Sequence, residues 1–129
     1  MKNNIILIKT IALYLLLFSL KNSYALEISP SRIDIGEIEK GRIIKKTITI
    51  KNNESKAVVL KNTRASCECI TISYKKRAVI EKNGTFAFDI EINTKEQPRG
   101  KLKKFIFLSF QNSEKPIYSV ELHANIFSP

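Results

Sequence analysis

Between Thr85 and Asn93 apolar and polar residues alternate without a break: Phe86, Phe88, Ile90 and Ile92 are separated by Ala87, Asp89 and Glu91. A period of two puts every second side chain on the same face of an extended strand, and it smears apolar residues around a helix. This segment therefore has to be a strand with one face turned to a core. Thr47-Ile48-Thr49-Ile50 repeats the pattern, as do Val120, Leu122, Ala124 and Ile126 near the end. Phe105-Ile106-Phe107-Leu108 is apolar on both faces, which predicts a central strand.

Turn residues fall between these runs. Gly36 and Gly41, Asn52-Asn53-Glu54-Ser55, Lys82-Asn83-Gly84, Thr94–Gly100 and Gln111–Pro116 punctuate the chain. Pro30 divides Leu26–Ser29 from Arg32–Ile38, which suits an edge strand or a change of sheet. No run past residue 25 has helical periodicity. Short strands at even spacing in about 100 residues predict an all-β fold, an Ig-like antiparallel sandwich of about seven to eight strands. Its expected core is Ile48, Ile50, Phe86, Phe88, Ile90, Ile106, Leu108, Val120 and Leu122.

The first 25 residues follow another logic. Lys2 and Lys9 are followed by the apolar run Ile11–Leu20 and by Ser23-Tyr24-Ala25, small residues of the kind a signal peptidase accepts. The run is shorter than the roughly 20 apolar residues of a comfortable membrane span. The expected organisation is a signal peptide, 1–25, removed from a single domain, 26–129, that works in the periplasm or cell envelope. Loss of Lys2, Lys9 and Lys21 lowers the net charge from +10 to +7. That charge favours anionic surfaces. The partners expected are a protein or an anionic envelope component, with membrane association peripheral at most and no nucleic acid.

Chemistry-bearing motifs are few. His123 is the only histidine and reads as an ordinary surface residue of the last strand. A serine or cysteine nucleophile would need a base that no motif supplies. No phosphate-binding loop, zinc-protease helix or cofactor motif is present. The chain is read as a non-enzyme without a cofactor.

Cys67-Glu68-Cys69 is the one reactive motif. In a flat strand the two Cα atoms would stand about 6.6 Å apart, near the limit for a disulfide, so a bond requires a local bend. Three readings stay open: a structural pair or disulfide, a metal pair suited to Cu(I), and a thiol-redox pair. Lys75-Lys76-Arg77 and Arg99, Lys101, Lys103 and Lys104 are the two basic stretches, and they are candidates for partner contact if they fall at one end of the sandwich.

The order of these signals resembles the bacterial domain-of-unknown-function family 1573 (DUF1573), itself similar to Ig-like modules of the ASH and major-sperm-protein type. The resemblance spans about residues 33–126. It rests on Gly36-Glu37-Ile38-Glu39-Lys40-Gly41, on Ile48-Thr49-Ile50-Lys51-Asn52, on Ser66-Cys67-Glu68-Cys69-Ile70-Thr71, on Asn83-Gly84 before an alternating strand, and on Gly100. Glu68 stands where the family signature has glycine, and Ile70 displaces its threonine by one place. The resemblance implies an exported, non-enzymatic Ig-like binding or scaffolding module. The alternative is a periplasmic Cu(I) or thiol-redox protein acting through Cys67 and Cys69.

Overall fold

The computed structural model describes residues 2–18, 26–74 and 76–129. The expected cleavage motif Ser23-Tyr24-Ala25 and Lys75 lie outside the described residues.

The chain begins with helix α1 (Lys2–Phe18). Its Ile5, Ile6, Leu7, Ile8 and Leu13 are 55–64% exposed, so this apolar stretch finds no core in the fold. Among the described residues no helix is long and apolar enough to cross a membrane.

Among the described residues nine strands follow: β1 (Leu26–Ser29), β2 (Arg32–Glu39), β3 (Ile43–Asn52), β4 (Val58–Ala65), β5 (Ile70–Ser73), β6 (Ala78–Ile80), β7 (Thr85–Asn93), β8 (Gly100–Gln111) and β9 (Ile117–Phe127). They form two sheets, β1-β3-β7-β5 and β2-β9-β8-β4-β6. The chain changes sheet at Pro30, between β1 and β2, and the Ser29–Pro30 bond is cis. Two expectations are corrected here. Among the described residues the strands number nine, and the sandwich is not wholly antiparallel, because β2 runs parallel to β9. Having crossed from the other sheet, β2 reaches the outer side of a strand about 90 residues later, and its direction is set by that crossing.

The alternating faces meet in the middle. Ile48, Ile50, Ile90, Ile106, Leu108, Val120 and Leu122 are fully buried and Phe88 is 4% exposed. Phe86 departs from the expected core. It lies near the end of the ladder, opposite Ile50, and is only partly buried, its ring 6.3 Å from that of Phe88. β8 is the middle strand of its sheet, and the outward Phe105 and Phe107 are partly covered, which explains its two apolar faces. Each fully buried aliphatic or aromatic side chain contributes roughly 1.5–3 kcal/mol before entropy is set against it.

Polar residues close one end of the sandwich. Asn52 is completely buried at the end of β3. Its Nδ2 donates to the carbonyls of Lys56 and Ile80, each at 2.9 Å, and its Oδ1 accepts from the Glu54 amide at 2.9 Å. Its main chain accepts from Asn83 N and donates to the Gly84 carbonyl. Gly84 is required there: a Cβ would stand 2.9 Å from the Glu81 carbonyl oxygen, which the Gly84 amide itself bonds.

Candidate functional site

Ser66 ends β4's approach to β8 and begins the cysteine turn. Its amide donates to the Phe105 carbonyl and its hydroxyl accepts from the Phe105 amide, both at 2.9 Å. The backbone then bends, with Ile70 N reaching the Cys67 carbonyl at 3.4 Å. Within this turn Cys67 and Cys69 are disulfide-bonded, their Cα atoms 5.2 Å apart. The bend thus supplies the closer approach that a flat strand denies, and β5 starts just after it, at Ile70. Both cysteines are half-buried against the core, and the Cys69 carbonyl takes the Asn93 amide at 2.8 Å. A pocket of about 410 Å³ lies beside the turn, lined by Glu68, Cys69, Asn93, Glu96 and Gln97. In the disulfide form neither sulfur is a thiolate, so metal binding would first need reduction, and the pair enters thiol–disulfide exchange only as the oxidised partner that an external thiolate attacks. Among the described residues no group of three or more His, Cys, Asp or Glu side chains is placed to hold a metal.

The Ser66–Phe105 bonds set this turn against the start of β8. There the basic side chains divide. Lys101 and Lys103 point outward and are exposed, with Lys103 Nζ 5.4 Å from the Phe105 ring centre. Lys104 faces the other way, in the row of buried Leu122, and is half-buried. Arg99 is exposed and its Nε donates to Ser128 Oγ at 3.0 Å. The other basic stretch is elsewhere: Lys76 and Arg77 are exposed in the link from β5 to β6, which are edge strands of different sheets. The topology does not bring it to the start of β8, from which β6 is separated by β4.

Beside Lys101 and Lys103 the outer face of the sheet carries a mixed-charge patch. A shallow pocket of about 470 Å³ there is lined by Arg32, Asp34, Lys101, Lys103, His123 and Asn125, among others. His123 is largely covered and its Nε2 lies 2.9 Å from Glu121 Oε2. That hydrogen bond, followed by the charge of Lys103, holds the Glu121 carboxyl below the ordinary carboxylate range. The sequence does not single out this cluster, because its members come from three strands. Farther along, Phe105 and Phe107 stack at 6.1 Å with Arg64 over the second ring.

One more feature is a property of the backbone. The β4 ladder covers β8 only as far as Ile106, and Ser66 extends it to Phe105. The Phe105 N–H and C=O both point toward β4. Peptide groups alternate sides along a strand, so Lys103 and Lys101 present theirs in the same direction. The β4 ladder does not reach them. The start of β8 is thus an edge within a five-stranded sheet, flanked by the disulfide turn and two outward lysines.

Two packed sheets make this an all-β, Ig-like sandwich. The structure is similar to an ASH/PapD-like domain of human CEP192 (TM-score 0.59, 15% identity, covering 84% of this chain and 89% of that one). It is also similar to a protein of unknown function from Porphyromonas gingivalis W83 (TM-score 0.67, 17% identity, 78% of this chain but 46% of that one). A third likeness is to WR4, a C. elegans member of the MSP family (TM-score 0.51, 11% identity, 79% and 97%). Enzymes are also among the similar structures, but this chain covers only 19–34% of them. At such identities the likeness concerns the fold. The sequence matches no curated protein. Residues 26–126 match the family described as "Protein of unknown function (DUF1573)", and the chain belongs to that family.

Proposed function

We propose that this protein is an exported, non-enzymatic binding or scaffolding module of the bacterial cell envelope. Its contact surface is the uncovered start of β8. The observation that carries this reading is the end of the β4 ladder at Ile106 and Phe105, beyond which no strand among the described residues pairs with Lys103 and Lys101 on that side, beside their exposed ammonium groups. Such an edge accepts an added strand through main-chain hydrogen bonds, and flanking side chains choose the partner. The lysines favour an acidic extended segment. Export is supported by the charged start, the uncovered apolar residues of α1 and a domain that begins at Leu26.

The test is capture of the partner from envelope extracts with the purified processed protein. Lys103→Pro removes one edge amide, and Lys101→Glu with Lys103→Glu reverses the charge. Both should abolish capture while leaving the far-UV spectrum and melting temperature close to wild type. Capture unaffected by either change would contradict the assignment of this edge.

A further inference from the structure

At the end of the sandwich remote from the disulfide, a buried carboxylate is only half satisfied. Glu54 follows β3 and is 3% exposed. Its Oε1 accepts from the Ser113 hydroxyl at 2.6 Å and from the Glu114 amide at 3.2 Å. Its Oε2 is buried and has no hydrogen-bond partner among the described residues. Buried carboxylates in folded proteins are paired or fully hydrogen-bonded, because nothing else offsets the lost hydration of the charge.

A donor is available on β1, which pairs with the strand that Glu54 follows. Leu26, 4% exposed, pairs with Asn52 in the β1–β3 ladder, and Asn52 Oδ1 takes the Glu54 amide. The Leu26 nitrogen donates to the Tyr118 hydroxyl at 3.2 Å. Tyr118 stands in the field of the same carboxylate. Burial holds its phenol above the ordinary value, the Leu26 hydrogen bond opposes this, and the charges of Glu54 and then Glu114 add to the rise. Lys115 is directed to the face of the Tyr118 ring, 4.6 Å from its centre. Glu27 is turned to Asn53 Nδ2, 3.5 Å away.

While Leu26 is joined to Ala25, its nitrogen carries one proton, and Tyr118 takes it. Leu26 is also the residue that follows the expected cleavage motif and the first residue of the family match. Hydrolysis of the Ala25–Leu26 bond by a leader peptidase consumes one water. The hydroxyl goes to the Ala25 carbonyl carbon and a proton to the Leu26 nitrogen. A free α-amino group titrates near pH 8, so at neutral pH it takes up a further proton and becomes a three-proton cation.

We infer that Glu54, with Tyr118, forms a binding site for the α-ammonium group of Leu26 in the processed chain, so that removal of the leader completes a buried ion pair. The pair ties β1 to the Gln111–Pro116 turn, which already hangs on Glu54 Oε1. This inference rests on the export reading and adds a consequence of processing to it.

The full chain, with its leader, is expressed in a bacterial host and the processed protein purified from the envelope. N-terminal sequencing should begin at Leu26. Glu54→Gln, and a glycine inserted between Ala25 and Leu26, should each lower the melting temperature by roughly 4–8 °C. Combined, they should cost no more than one alone, since each removes the same contact. An ion pair raises the α-amino pKa, so its stabilisation is present below about pH 8 and fades as pH rises through the raised value. The difference between wild type and Glu54→Gln should therefore shrink between pH 7 and pH 10. Should Glu54→Gln fail to accumulate, the wild-type protein still answers: a one-unit rise leaves about tenfold less free amine at pH 7, and α-amino acylation should slow accordingly relative to the denatured chain.

A start at Leu26 with additive losses, a Glu54→Gln protein at least as stable as wild type, or equal acylation rates overturns the ion pair and leaves export standing. A start at Met1, or anywhere other than Leu26, overturns the ion pair, and an intact Met1 on protein found in the soluble cytoplasm overturns export as well.

Discussion

Asn52 Nδ2 donates to the main-chain carbonyl of Ile80 at 2.9 Å, a hydrogen bond between the two sheets made entirely inside the protein. One side chain thus fixes β3 against β6 while its oxygen holds the following turn. Asn52→Ala leaves the buried Ile80 carbonyl and Glu54 amide and the part-buried Lys56 carbonyl without this partner, and should cost about 3 kcal/mol in urea unfolding. A loss under about 0.5 kcal/mol would show that water replaces the side chain freely.

Phe88 and Lys76 make opposite demands. Phe88 is buried opposite Ile48, so Phe88→Ala should cost roughly 3–5 kcal/mol. Lys76 is exposed in a turn, and Lys76→Ala should stay within about 0.5 kcal/mol. Similar values from both would mean that the core is elsewhere.

The disulfide closes a ring of only three residues, so loop closure offers little gain. Replacing Cys67 and Cys69 by serine should leave the fold intact and cost no more than about 2 kcal/mol. Mass spectrometry of the untreated protein should show two hydrogens fewer than after reduction. Copper transfer or disulfide exchange that disappears in the double-serine protein would instead favour the metal or thiol reading.

Acid should act through Glu121. The His123 hydrogen bond and the Lys103 charge lower its pKa in the folded chain. Its stabilising contribution is therefore present above the unfolded value of about 4.3 and is lost as pH falls through the lower folded value. Glu121→Gln should flatten the acid limb of the stability curve below about pH 4.5, and high salt should reduce the difference because the group is exposed. Identical acid limbs would place the sensitivity in other carboxylates.

What could be read from the sequence was what one strand says about itself. The alternation in β7 marks Phe88, Ile90 and Ile92 as inward, and the two-sided β8 announces its central place. Relations between distant segments left no such trace. Nothing near Arg32 shows that β2 will run parallel to β9. Lys104 looks like a companion of Lys103, yet the period of two turns it to the opposite face. Glu54 sits among turn residues, and its burial depends on Ser113 and Glu114 some sixty positions away. The cysteine turn was legible as a motif, but the bend that closes it depends on Ser66 holding Phe105. The outer-face pocket draws on β2, β8 and β9 and has no local signature.

The central claim, that the start of β8 is the contact surface of an exported binding module, is met most directly by site-specific photocrosslinking in living cells. A photoreactive residue at Lys101 should join the protein to a discrete partner, and one at Val79, exposed on the far edge strand of the same sheet, should not. The Lys101 adduct should disappear with Lys103→Pro. Adducts of equal yield from both positions, or none from Lys101 where Val79 gives one, would contradict the account.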